Sequence, residues 1–305
     1  MPDAARLPRD RYDAARAFME RDARPLDAAL LANALGEAAP EAALVALSAF
    51  QNADGGFGNG LEPDTTSPAS TAIATSVALR LLARLRARDG RPMVMAALGW
   101  LDGAIDRERG VWPIVGPDVE LAPHAPWWTW SENMAAQWNG FRFNPTAEIL
   151  SPLYVFADAA PEGLIGLAEE GMRRTLAETE VIGGAYDLKA AIRLAETDAA
   201  PTDLRDELGK LVRRSVPAHD PGDEHAGALE LAPRPDGLCA DLVADQIEAA
   251  IARLIESQQA DGGWTPFWDW SFVDAAAWKK ARRDWRGWLT REALETLVAW
   301  DRVET

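Results

Sequence analysis

The sequence predicts an all-α fold assembled from repeated helical hairpins, and three observations carry that expectation. Apolar residues recur at helical spacing over long stretches. Alternating apolar and polar runs of the strand type are scarce. One glycine-rich motif occurs twice, each time directly after an amphipathic stretch.

From Ala69 to Leu85 the residues Ile73, Val77, Leu81, Leu82 and Leu85 form one apolar stripe. Ser67-Pro68 reads as its start, because serine accepts a bond from a free amide and proline suits the first helical position. From Leu242 to Ile255 the pattern returns as Ile247, Ile251, Leu254 and Ile255. After the helical stretches come Gln51-Asn52-Ala53-Asp54-Gly55-Gly56-Phe57 and Gln258-Gln259-Ala260-Asp261-Gly262-Gly263-Trp264. Weaker copies are expected at Gly110-Val111-Trp112 and Gly183-Gly184-Ala185-Tyr186. Internal repetition of this kind marks an array of units that bury their apolar faces only against neighbours. The uneven spacing implies insertions near residues 113–144 and 216–235. The motif reads as fold chemistry: glycine ends a helix abruptly, Asp and Gln bond the freed backbone groups, and the aromatic covers the junction.

Composition narrows the partners. The chain has 305 residues and a formal charge of −17, which argues against a nucleic-acid partner. No apolar run approaches the roughly 20 residues of a membrane-spanning helix, and the polar N-terminus does not read as a secretory signal. The one cysteine, Cys239, forms no internal disulfide, so a cytoplasmic protein is expected. Of the 13 tryptophans, ten lie in two stretches, Trp127 to Trp138 and Trp264 to Trp288, a distribution suited to lining a cavity.

At the Gln-x-x-Asp-Gly-Gly-aromatic copies the chain resembles the squalene–hopene cyclase and protein prenyltransferase β-subunit superfamily. Gly56 to Asp64 (GFGNGLEPD) is similar to a stretch in bacterial prenyltransferase-like proteins of this size. The resemblance implies a single α/α toroid, its core over about residues 26–301, with inner and outer helices ringing an apolar cavity. It also implies an isoprenoid substrate. The superfamily's signatures are missing, however. There is no Asp-x-Asp-Asp acid motif and no Asp-Asp pair at all, and Asp236 to Cys239 is one residue off the prenyltransferase zinc spacing. No cofactor is therefore expected, with Mg²⁺ entering only for a diphosphate substrate.

Three segments hold the candidate residues. Glu62 and Asp64 follow the first motif copy, and a carboxylic acid partly desolvated there by Phe57 and nearby indoles can act as a proton donor; the alternative is that both acids serve the loop itself. The second segment carries Trp127, Trp128, Trp130, Trp138, Phe143, Asn144 and Glu148, which either contact a ligand or seal one end of the barrel. In the third, Asp269 sits among Trp264, Trp268 and Trp270 as the acid with the most apolar setting, either catalytic or salt-bridged to the basic run near Lys279. His219 to His225 has metal-ligand types at a spacing that fits no metal loop. These readings give an isoprenoid enzyme, terpene-cyclase-like or prenyltransferase-like, working by acid protonation. The alternatives are a glycan-active or glycan-binding toroid and a non-catalytic module for a lipid or protein.

Overall fold

The computed structural model describes residues 4–86, 90–134, 141–219 and 225–304. Among the described residues there are twelve α-helices and no strand, only isolated bridges. The helices are α1 (Arg9–Arg21), α2 (Pro25–Ala34), α3 (Glu41–Ser48), α4 (Ala72–Leu85), α5 (Arg91–Ala104), α6 (Thr146–Val155), α7 (Leu164–Glu178), α8 (Ala185–Ala195), α9 (Thr202–Ser215), α10 (Ala228–Leu231), α11 (Ala244–Glu256) and α12 (Ala275–Ala299). None is long and apolar enough to cross a membrane. The chain divides into two compact units: Leu47–His225, and Met1–Ala46 together with Ala226–Thr305.

In the unit Leu47–His225 the helices alternate between two layers. Helices α4, α6 and α8 pack side by side, and each also packs against the helix that follows it, α5, α7 and α9 respectively. The apolar stripe read from the sequence does become α4, with Val77, Leu81, Leu82 and Leu85 buried and Ile73 half-buried. Its start differs from the expectation. Thr71, not Ser67, caps the helix by accepting the Ala74 amide at 3.2 Å. Ser67 instead donates its hydroxyl to the Asp118 carbonyl at 3.0 Å, so the Ser-Pro pair serves a long loop. The second stripe becomes α11.

The two motif copies fold alike. Gln51 and Gln258 each donate their side-chain amide to the carbonyl of the first glycine, Gly55 and Gly262, both at 2.9 Å. Asp54 and Asp261 accept the amides of Gly56 and Gly263 at 3.0 and 3.2 Å. Gly55 and Gly262 share a φ of 95°, and each presses on a helix: an added Cβ would lie 2.4 Å from the Ala96 oxygen or 2.3 Å from that of Ala14. Only glycine satisfies both conditions.

A further bond unites these copies with the weaker ones, and its residues are not adjacent in sequence. The aromatic's backbone N–H donates to a threonine hydroxyl on the covering helix: Phe57 to Thr75 at 3.0 Å, Trp112 to Thr146 at 3.2 Å, and Trp264 to Thr290 at 2.9 Å. Trp112 and Trp264 also donate their indole N–H groups to carbonyls of the preceding helix, Leu101 and Leu254, both at 2.8 Å. The copy expected at Gly183–Tyr186 is out of register. Ile182 takes the aromatic's place, its amide bonded to the Ser215 hydroxyl at 2.9 Å, while Ala185 and Tyr186 already belong to α8.

In the other unit α1, α2 and α12 pack together, as do α10 and α11. Asp27, buried on α2, lies 2.7 Å from Arg24 and 3.6 Å from Arg291 of α12. The Trp288 ring lies against both guanidiniums. A buried carboxylate survives here because cations flank it.

The diglycine corner gives a direct test. Gly262→Ala forces a Cβ onto the Ala14 carbonyl at a φ closed to side chains, so it should destabilise by about 2–4 kcal/mol. Gly103→Ala, where an added Cβ meets nothing, should change stability by less than about 1 kcal/mol. Urea unfolding of both variants measures the difference.

Candidate functional site

The loop between Phe57 and Thr71 is held down by the insertion that precedes α6. The Ala125 amide donates to the Asp64 carbonyl at 2.8 Å, and the Thr66 amide and hydroxyl both donate to that of Pro123. Glu62 and Asp64 are buried beneath this cover, and the Trp128 indole donates to Glu62 Oε2 at 3.1 Å. Trp128 therefore seals the loop, whereas Trp127 and Trp130 keep 39% and 37% of their surface exposed. Phe57 and Phe143 are packed into helix junctions with almost no free surface. Trp138 lies outside the described residues, as do Asp220–Glu224 of the histidine-bearing loop.

The third aromatic segment packs largely on itself. Trp268 stands edge-on to Phe267 and Trp285, Trp270 lies against Trp278, and Trp264 and Trp270 are buried. The apolar setting expected for Asp269 is corrected here. Its side chain is exposed, accepting the Ser271 amide at 2.7 Å and the Trp278 indole at 3.0 Å. These bonds, Ser271's foremost, hold its carboxyl below the usual range, the opposite of what a proton donor needs. A turn of the chain, not a pocket, is what the flanking indoles build.

The residues that do converge come from the side-by-side helices α4, α6 and α8. Glu148, in the first turn of α6, is buried and bonded to Arg193 of α8, with Arg80 of α4 at 3.7 Å on its other oxygen. One turn before Arg193, Lys189 places its ammonium 4.5 Å from the centre of the Tyr186 ring. Tyr186 in turn shares a 2.9 Å hydrogen bond with His225 Nδ1. Asn144 donates its backbone amide to Asp187 at 2.9 Å. Desolvation dominates at Asp187 and pushes its carboxyl up to about 6, against the pull of that hydrogen bond.

Of the residues expected from sequence, only Glu148 and Asn144 belong to this cluster. From sequence Tyr186 reads only as the aromatic of a weak motif copy and His225 only as part of a loop that fits no metal; Arg80, Asp187, Lys189 and Arg193 go unread. One signal was available: Tyr186, Lys189 and Arg193 recur at spacings of three and four along α8, interrupting an otherwise apolar helix. The partners on α4 and α6 carry no such signal, because pairing across helices needs the fold. Among the described residues no group of three His, Cys, Asp or Glu is placed to hold a metal, and Cys239 is a buried thiol.

No family model matches the chain, and no functionally curated protein matches it.

Asp187 yields a pH prediction. Its folded value lies above the unstructured value of 3.8, so the carboxyl favours the folded state fully only below that pH. That advantage is lost as pH rises toward about 6. Asp187→Asn keeps the acceptor and removes the charge. Wild-type stability should fall relative to Asp187→Asn as pH climbs from about 4 to 7, by at most about 2 kcal/mol after solvent screening. Thermal denaturation of both proteins across that range checks the sign.

Proposed function

We propose that the chain is a prenyltransferase-like α/α toroid that binds an isoprenoid diphosphate, its anionic head received by the cations of α4 and α8. One observation carries this reading. Arg80 and Arg193, from two helices of one layer, flank the buried carboxylate of Glu148, with Lys189 one turn before Arg193 on α8. Arg80, Glu148 and Arg193 alone sum to a formal charge of +1 in a chain of −17. Guanidiniums suit phosphate because their planar donors match its oxygens in pairs. A carboxylate bonded to both fixes their rotamers in advance, which lowers the entropy cost of binding.

The layered alternation in Leu47–His225 and the repeated diglycine junctions support the toroid. The resemblance supplies the isoprenoid tail; the basic face supplies the head. With the head anchored, Asp187 replaces Asp269 as the acid of choice for proton transfer, since burial pushes its carboxyl up to about 6 while that of Asp269 is held low. Mg²⁺ is called for only if the diphosphate is ionised. The glycan alternative would need paired carboxylates beside an indole groove, and the indoles are largely buried in packing.

Calorimetric titration tests the reading with geranylgeranyl diphosphate, geranylgeraniol and a neutral oligosaccharide. The diphosphate should bind at least about tenfold more tightly than the alcohol, and Arg193→Gln should remove most of that difference. Equal binding of alcohol and diphosphate, or a diphosphate affinity indifferent to Arg193→Gln in a folded variant, would overturn it. Oligosaccharide binding in place of both would point to the glycan class.

A further inference from the structure

The two near-identical motif copies act as an internal control on what the fold itself requires. Thr75 and Thr290 perform the same task, accepting the amide of the motif aromatic, and they set the covering helices in register. Before Thr75 the chain is the loop that carries Glu62 and Asp64, and α4 begins only at Ala72. Before Thr290 the helix continues back to Ala275, and that extension carries Lys279, Arg282, Arg283 and Arg286. These four recur at spacings of three, one and three along one helical face.

The motif aspartates show the difference most closely. In the first copy Asp54 accepts the Ser70 hydroxyl at 2.7 Å. In the last, Asp261 takes both contacts of the Arg286 guanidinium, at 2.6 and 2.9 Å, and the same guanidinium stacks 4.7 Å from the Phe18 ring centre. A serine hydroxyl is thus enough to build the corner. The basic extension is an addition that the corner does not need.

Beside it is a cavity of about 400 Å³, the size of a small ligand's site. Phe18 and Trp278 form its apolar wall, the four basic residues its cationic wall, and Asp22 and Asp261 its acids. Asp261 is committed to Arg286, Asp22 is paired with Arg21, and Arg283 lies 3.4 Å from Asp284. Among the described residues Lys279 and Arg282 lie within 4.0 Å of no acid, both are exposed, and Arg282 acts on the Asp269 carboxylate only through its longer-range charge. The lining sums to a formal +2, in a chain whose overall charge repels anions. Positive charge concentrated against that background, with one guanidinium already immobilised, is the arrangement that captures a compact polyanion.

We propose that this cavity binds a small phosphate ester carrying at least two negative charges, with Lys279 and Arg282 meeting the phosphate and Arg286 orienting it. The site belongs wholly to the unit formed by Met1–Ala46 and Ala226–Thr305, and it stands or falls independently of the isoprenoid reading.

The Trp278 indole N–H reports on it, since it lines the cavity and is bonded to Asp269. In ¹⁵N-labelled full-length protein its resonance, assigned through Trp278→Phe, is followed during titration with inorganic pyrophosphate and separately with AMP. A saturable shift with AMP is expected. Replacing Lys279 and Arg282 together by Ala should weaken it about tenfold or more. The double variant lacks only exposed side chains, and its melting temperature confirms that it is folded. Arg193→Gln should leave the Trp278 shift unchanged. Pyrophosphate acting without AMP assigns the site to inorganic phosphates and overturns the ester; no saturable movement, or movement indifferent to the double substitution, overturns the site altogether.

Discussion

The architecture depends on a backbone amide that has to be satisfied at each corner between helices. Ending a helix against its neighbours buries N–H groups with no helical partner, and each one left bare costs about 1–3 kcal/mol. Phe57, Trp112 and Trp264 solve this with a threonine hydroxyl from the covering helix, and Ile182 with a serine. For the three aromatics the donor sits in the turn and the acceptor on the following helix, so the bond fixes the order of packing as well as the corner. Hydrophobic burial drives the layers together without choosing their register; these hydroxyls choose it.

Glycine makes the approach possible. At Gly55 and Gly262 the chain turns through a left-handed conformation while pressed against a carbonyl of another helix. Any larger residue would lift the turn off its neighbour and lengthen the amide-to-hydroxyl bond. The two devices are therefore coupled: close approach is the condition for the hydrogen bond, and the hydrogen bond holds the approach. This is why a seven-residue motif separated by long, variable insertions can still specify a repeated junction.

The same logic explains how much could be read in advance. Helix class, the stripes of α4 and α11 and the two strong corners follow from local periodicity and local turn chemistry, which the sequence displays directly. The start of α4 was misplaced because Ser67 is as good a local cap as Thr71, and only the tertiary bond from Ser67 to Asp118 separates them. Asp269 misled for a related reason. Flanking indoles in sequence suggested an apolar environment, but alternate residues of an extended turn face different ways, and Asp269 faces water while Trp270 is buried. The cluster around Glu148 was only partly legible, because the polar spacing along α8 does not say which residues of α4 and α6 it meets. An arginine near the end of α4 and another near the end of α8 reveal nothing until α6 is set between them.

Charge distribution then links packing to function. Each unit contains a buried carboxylate, Asp27 or Glu148, set between two arginines. Such triads seldom improve on well-packed apolar side chains as sources of stability, because desolvation consumes most of the Coulombic gain. The setting of Asp27 is closed, with Arg24, Arg291 and the Trp288 ring around it and little exposed surface, so its role is confined to joining α2 to α12. Glu148 is also buried, yet Arg80 and Arg193 leave about a third of their side-chain surface exposed. The one arrangement has buried its cations in packing; the other leaves them partly exposed. On the proposed reading, an anion there would meet guanidiniums that Glu148 already holds in place, which would lower the entropy cost of binding.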